Sequence, residues 1–367
     1  MRSAFKFLMF LSLGLLTTGS FTFAVETVTL LDRGEPYASM VAQNGIFWIG
    51  QSRRQFNADY RIEVYSTDGR LIDRATLSHS ISSLKERNDG TVVMTGINPS
   101  TQLTEYTFAK LLNNKIQKQT TSINVYGFIS FWIGSLNNLH FFADIGGNSQ
   151  DDNQNPNLPA QTIFSTRSSA PDYLSTRVRM PIAGTIHNDK LLLVSSEGMG
   201  SKAGSIVEVN PRTQQRRTLL ETKNGHFWGF KIIPGTNDFV TSAIAQNKLI
   251  IADSATGQIR REISTQGYTR TFAITGHCLI AGNDEKNTIE IFDLKSSENK
   301  SVLNAEIGMP ITEFSGIKQI AIDDTTGIVF ALAALPCNPM VEVCDRDDNR
   351  VVSLGSELGN AIKNSCR

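Results

Sequence analysis

The stretch IIADSATGQIRREI, residues 250–263, decides the fold. An apolar run reaches Asp253, a polar Ser-Ala-Thr-Gly turn follows, and a second run of different character begins after it. Period-two alternation marks half-buried strand, and Asp and Gly are turn formers because they tolerate the dihedrals a tight reversal needs, so the stretch predicts a β-hairpin. Three others share the scheme: IEVYSTDGRLIDRATL (62–77), IVEVNPRTQQRRTLLE (206–221) and IEIFDLKSSENKSVLN (289–304). A fifth, IAIDDTTGIVFALA (320–333), has the same grammar, but its place in the chain predicts that it joins a different strand pair.

Two further strand candidates of constant order lie between these hairpins, as FKIIPGTNDFVTSAI does ahead of KLIIADSATG. Counting four strands per unit gives units beginning near Tyr37, His79, Tyr126, Pro181, Gly225, Tyr268 and Gly316. Units of roughly 40 to 50 residues and four strands, stacked around an axis, define a β-propeller. The expected fold is therefore all-β, a propeller of seven four-stranded antiparallel blades. The last unit lacks its outermost strand, while ETVTLLD (26–32) has no unit of its own. If that strand completes the last blade, the ring closes and two sheet edges that invite aggregation disappear. The tail SELGNAIKNSCR is expected to pack back on the ring. A two-domain β-sandwich is the alternative, and the scarcity of helical patterns disfavours an α/β fold.

SAIAQNKLIIADSATGQIRREISTQG is similar to the YVTN-type and NHL-like propeller repeats, with Asp253, Thr256 and Gly257 in the Asp-x-x-Thr-Gly hairpin signature. GSIVEVNPRTQQRRTLLE resembles the outer hairpin of such blades, with Asn210 in place of Asp. The likeness is sharp between about residues 190 and 300; blades one to three depart from it, and the tetrad that names the YVTN group is absent. It implies a fold and leaves function open, because propellers host binding modules, lyases, lactonases and dehydrogenases alike.

Residues 1–24 read as a signal peptide: Arg2 and Lys6, then FLMFLSLGLL, then Thr22-Phe23-Ala24 ending on a small residue. Cleavage after Ala24 would leave a single propeller domain, 25–367, periplasmic or extracellular, with no membrane insertion after cleavage and acting as a monomer. Lys plus Arg and Asp plus Glu are equal at 35 each, so no net field draws the chain to nucleic acid. The four cysteines, Cys278, Cys337, Cys344 and Cys366, suit two disulfides in an oxidising compartment. Of the three connectivities, the closeness of the pair in PCNPMVEVC favours Cys337 with Cys344 and Cys278 with Cys366. A zinc site is disfavoured because no CxxC pair is present.

Connections between second and third strands emerge on the same face as the connections between blades. QSRRQFNADY in blade one, GGNSQDDNQNPNLPA in blade three and PCNPMVEVCDRDDN in blade seven are long, which marks that face for recognition. Arg53 and Arg54, Tyr126, Glu197, His226 with Trp228, Tyr268 and Arg270 are the binding candidates there. Asp151, Asp152, Asp345 and Asp347 supply the hard oxygen ligands calcium takes, although neither loop has the EF-hand's Gly and Glu. No GxSxG, HExxH or phosphate-cradling glycine loop occurs, so no catalytic residue is assigned. Two functions follow: a non-catalytic module recognising a protein, peptide or glycan, or a calcium-dependent hydrolase or lyase, lactonase-like, at the channel mouth.

Overall fold

The computed structural model describes residues 22–24, 28–31, 37–51, 60–125, 130–144, 163–167, 172–174, 178, 181–196, 203–223, 225–283, 288–298, 303–306, 316–334 and 349–365. They form seven four-stranded antiparallel blades around an axis, a propeller. Blade one runs Tyr37–Gln43, Ile46–Gln51, Arg61–Ser66 and Leu71–Thr76; blade two Ser83–Glu86, Val92–Ile97, Thr104–Leu112 and Lys115–Ile123. Blade three runs Ser130–Leu136, Leu139–Asp144, Ile163–Thr166 and Asp172–Tyr173; blade four Pro181–His187, Lys190–Ser196, Gly204–Val209 and Arg216–Thr222. Blade five runs Phe227–Ile232, Asp238–Ala243, Lys248–Asp253 and Ile259–Ser264; blade six Thr269–Thr275, Cys278–Asn283, Thr288–Asp293 and Leu303–Glu306.

Blade seven takes Gly316–Ile322, Val329–Ala334 and Asn349–Ser353 from one end of the chain and its outermost strand, Val28–Leu31, from the other. Val28 pairs with Ser353 and Leu31 with Val351, antiparallel. The closing strand thus lies where the unpaired ETVTLLD segment predicted. Thr22–Ala24 adds a fifth strand to blade six, parallel to Leu303–Glu306.

The core is divided among the blade interfaces, because each sheet has two apolar faces and each face needs a neighbour. Trp48 and Ile62 of blade one meet Leu84 and Met94 of blade two. Leu192 of blade four meets Phe239 of blade five, and Val240 of blade five meets Leu279 of blade six. The ring closes where Phe47 and Met40 of blade one pack on Phe330 and Leu332 of blade seven, with the Phe47 and Phe330 rings 4.9 Å apart. A helix, Gly355–Ser365, buries Leu358 and Ile362 against blades six and seven. The sequence predicts that this tail packs back, but its single short amphipathic turn pattern does not announce a helix.

The turn signature does its work through one carboxylate. Asp253 Oδ1 accepts from the backbone N–H groups of Ala255 (2.9 Å) and Thr256 (2.8 Å), and Gly257 at φ +76° donates back to Asp253 O. Asp323 repeats the turn with Thr325, Thr326 and Gly327, between the first and second strands of blade seven, so the fifth hairpin does join a different pair. Asn98 repeats it again between the second and third strands of blade two, with Gln102 at φ +58° in the glycine position. The innermost strands of blades two, three, five and six begin at Ser83, Ser130, Phe227 and Thr269, a few residues after the unit starts read from the sequence.

Candidate functional site

The innermost strands of six blades carry a bulge near their start, blade two being the exception. A bulge inserts one residue and re-aims its neighbours. In blade five Trp228 pairs with Ser242 and Phe230 with Thr241, leaving Gly229 as the extra residue at φ +49°. Only glycine fits there: a Cβ would lie 2.6 Å from the Phe272 ring and 3.0 Å from Arg270 O. The bulge carbonyls stay satisfied, since Ser242 Oγ donates to Trp228 O (2.9 Å) and Thr241 Oγ1 to Gly229 O (3.0 Å). In blade six the extra residue is Arg270, and its guanidinium stands 5.8 Å from the centre of the Trp228 ring.

Four of the sequence candidates thus lie at one rim of blades five and six, where Arg270 and Trp228 touch. Trp228 is 41% exposed and Tyr268 38%, among the few large apolar side chains so exposed in the described residues. His226 precedes the strand and its carbonyl accepts the Ile244 N–H at 3.2 Å. Arg53, Arg54, Tyr126, Glu197, the calcium candidates Asp151, Asp152, Asp345 and Asp347, and Cys337, Cys344 and Cys366 lie outside the described residues. The strand ends on either side of the long connections are described: Gln51 and Arg61, Asp144 and Ile163, Ala334 and Asn349. These six strand ends lie on the rim that carries Trp228. Among the described residues no three His, Cys, Asp or Glu side chains form a group able to hold a metal. Cys278 is buried and disulfide-bonded, with its sulfur 3.4 Å from Ile362 O; its partner lies outside the described residues.

His79 lies in the junction between blades one and two, between Thr76 and Ser83, and is fully buried there. Its Nδ1 lies 2.6 Å from Ser80 O and its Nε2 2.7 Å from Thr107 Oγ1, and burial holds its pKa below the usual histidine value. Both ring nitrogens are spent on the fold, because a buried imidazole must find two partners.

The channel holds what the sequence reading missed. Lys85, on the innermost strand of blade two, donates to Ile133 O of blade three (2.8 Å) and Gly184 O of blade four (3.1 Å), with Trp132 beside it at 5.4 Å. Ile133 is the bulged residue of its strand, and its carbonyl takes the ammonium. Burial lowers the Lys85 pKa to about 8, with Glu86 opposing and Lys231 adding to the shift. Gln319 closes the ring in the same manner: its Oε1 accepts from Met40 N (2.8 Å) and its Nε2 donates to Met40 O (2.5 Å). A cavity of about 260 Å³ at the lower channel mouth is lined by Gln43, Arg87, Lys231, Gln319 and Asp324 among others. No single-sequence signal distinguishes Lys85 in SSLKERNDG from a solvated loop lysine.

No family model matches the chain, and no curated protein does. Solved propellers and related structures do. The computationally designed Ika8 protein is similar over 90% of this chain and 98% of its own, with a TM-score of 0.54 and 10% identity. The Dos1 propeller matches over 88% of this chain and 78% of its own, with a TM-score of 0.53 and 11% identity. Raptor from Chaetomium thermophilum gives a TM-score of 0.59 at 12% identity over 88% of this chain, which spans 28% of Raptor. At such identities the likeness shows the fold alone.

Proposed function

We propose that the chain is an exported, non-catalytic propeller of the YVTN/NHL-like group that recognises a protein, peptide or glycan through its upper face. The observation that carries this reading is the exposed pair Trp228 and Tyr268 beside Arg270. Trp, Tyr and Arg dominate binding hot spots, and here they share a rim with the strand ends that flank the three longest connections between second and third strands. Arg53, Arg54, Tyr126, Glu197 and His226 extend the same surface in this reading. Calcium held by Asp151, Asp152, Asp345 and Asp347 would stiffen two of the loops.

Export implies cleavage after Ala24, which removes the strand Thr22–Ala24 and spares the closing strand Val28–Leu31. Amino-terminal sequencing of the fractionated protein should then begin at Val25. Cys278 paired with Cys366 would tie the C-terminal helix to blade six, and mass mapping of the oxidised protein tests that pairing against the other two.

The deciding experiment is affinity capture from envelope extracts by the wild-type protein, by Trp228→Ala/Arg270→Ala and by a deletion of residues 148–157. A defined partner enriched by the wild type and lost from both variants, at unchanged melting temperature, supports the reading. Equal enrichment by all three proteins sinks it.

A further inference from the structure

The face opposite the long connections carries a second feature, between blades four and five. A cleft of about 750 Å³ opens there, within the range of small-molecule pockets. Its floor comes from the end of the first strand of blade four, at His187, and from the outer hairpin of that blade, at Glu208, Arg216 and Arg217. Its wall is the Asp253 turn of blade five, at Ser254. The wall is fixed in place: Ser254 N donates to Asn237 O at 2.7 Å, and Gly257 approaches so closely that a Cβ would lie 1.9 Å from Leu219 O.

Charge in the cleft does not balance. Glu208 is shared between Lys190 at 3.6 Å and Arg217 at 3.1 Å. One carboxylate therefore answers two cations, Lys190 and Arg217. Two buried polar atoms also lack a hydrogen-bond partner at this cleft: Ser254 Oγ, on a residue only 3% exposed, and His187 Nε2. A buried hydroxyl without a partner is costly, and native folds leave few of them; one lining a cationic cleft is a donor held ready.

We propose that this cleft binds the oxyanion of a small, oxygen-rich ligand, a phosphate or a carboxylate, with Arg217 and Lys190 neutralising the charge and Ser254 Oγ donating to one oxygen. Charge-assisted hydrogen bonds from guanidinium to such oxygens are short and strong, and the planar fork of Arg217 suits either anion. This site is independent of the upper rim: its residues lie on the turns between first and second and between third and fourth strands, on the other side of the disc.

The test is calorimetric titration of the purified protein with inorganic phosphate and with sodium glucuronate, each against chloride at matched ionic strength. Saturable binding of phosphate assigns a phosphorylated ligand, and saturable binding of glucuronate an acidic sugar. Either must weaken by about tenfold or more in Arg217→Gln and by roughly five- to tenfold in Ser254→Ala, as loss of a hydrogen bond to a charged group requires. Trp228→Ala/Arg270→Ala should titrate as the wild type, which separates failure here from failure of the upper-face reading. Ser254→Ala removes an atom with no partner and Arg217 is 52% exposed, so both variants should melt with the wild type. The proposal is overturned if neither anion saturates above chloride, or if Ser254→Ala, folded, binds as tightly as the wild type.

Discussion

Blade five and blade seven have the same four-stranded plan and opposite origins. Blade five is one unbroken segment, Phe227–Ser264, whose second and third strands are joined by a single 3-10 turn ending on Asn247 at φ +50°. Blade seven joins Val28–Leu31 to strands beyond residue 315, and its second and third strands are separated by residues 335–348. In the first, each link is a local turn with its own hydrogen bonds. In the second, the blade exists only when the ring has closed, so its stability depends on contacts distant in sequence. Injury to blade five should be graded and injury to blade seven cooperative.

Deleting residues 26–32 breaks blade seven most directly. The strand Asn349–Ser353 loses its outer partner and keeps only Val329–Ala334, so a new edge opens beside buried Val351 and Val352. Urea denaturation should show a loss of more than about 4 kcal/mol or of a single transition altogether, with aggregation by light scattering. Removing residues 1–24 should leave the transition intact. Equal stability of the two truncated proteins would show that the ring does not need its borrowed strand.

The corresponding injury to blade five is Gly257→Ala, and Gly235→Ala is its control. Both glycines have nearly the same positive φ, +76° and +74°, but the added Cβ meets Leu219 O at 1.9 Å in one and nothing within 4 Å in the other. Gly235→Ala should cost about 1–2 kcal/mol, the penalty of the left-handed conformation alone. Gly257→Ala should cost about 3–4 kcal/mol, because the obstacle is backbone of blade four and cannot rotate away. Similar losses by chemical denaturation would mean that the wall between blades four and five yields easily.

Lys85 tests a third kind of link, one that joins blades through a side chain in the channel as Gln319 joins blades seven and one. With a folded pKa of about 8 against an ordinary 10.5, the lysine is neutral in the folded protein and charged in the unfolded chain between those values. The unfolded chain binds more protons in that window, so the lysine's contribution to stability rises with pH from about 8 to 10.5; below it both states are charged and the burial cost is present in full. The stability of wild type relative to Lys85→Met should therefore shift toward wild type by at most about 3 kcal/mol across the window. A difference that stays flat with pH would place the ammonium in water.

What the sequence disclosed divides along the same line. The hairpins at Asp253, Asn210 and Asp323 were legible because one side chain and the backbone three or four residues on make the turn, all within a short window. The closing strand was legible by subtraction, since residues 26–32 alternate like a strand and belong to no unit. Trp228 and Arg270 could be put on one rim by strand order, but their contact depends on two bulges, and a bulge leaves little mark in a single sequence. The position of His79 at a blade junction follows from counting strands, whereas the partner of its Nε2 is Thr107, 28 residues away, which no local pattern marks. The cleft at Ser254 was not legible at all: it arises from two blades approaching, and its residues alternate with the strands like any solvated hairpin.

The smallest effect on folding belongs to the residues most bound up with function. The contact of Arg270 with Trp228 is a solvent-facing cation–π pair, worth about 0.5–1 kcal/mol. Losing that contact in Arg270→Ala should thus lower stability by about 0.5–1 kcal/mol while abolishing capture of the partner that the upper face recognises. Gly229 is required beneath Trp228 to let blade six come close. If Arg270→Ala instead costs more than about 2 kcal/mol by denaturation, well beyond a surface cation–π contact, the pair is a strut between blades five and six and the rim loses its claim as a docking surface.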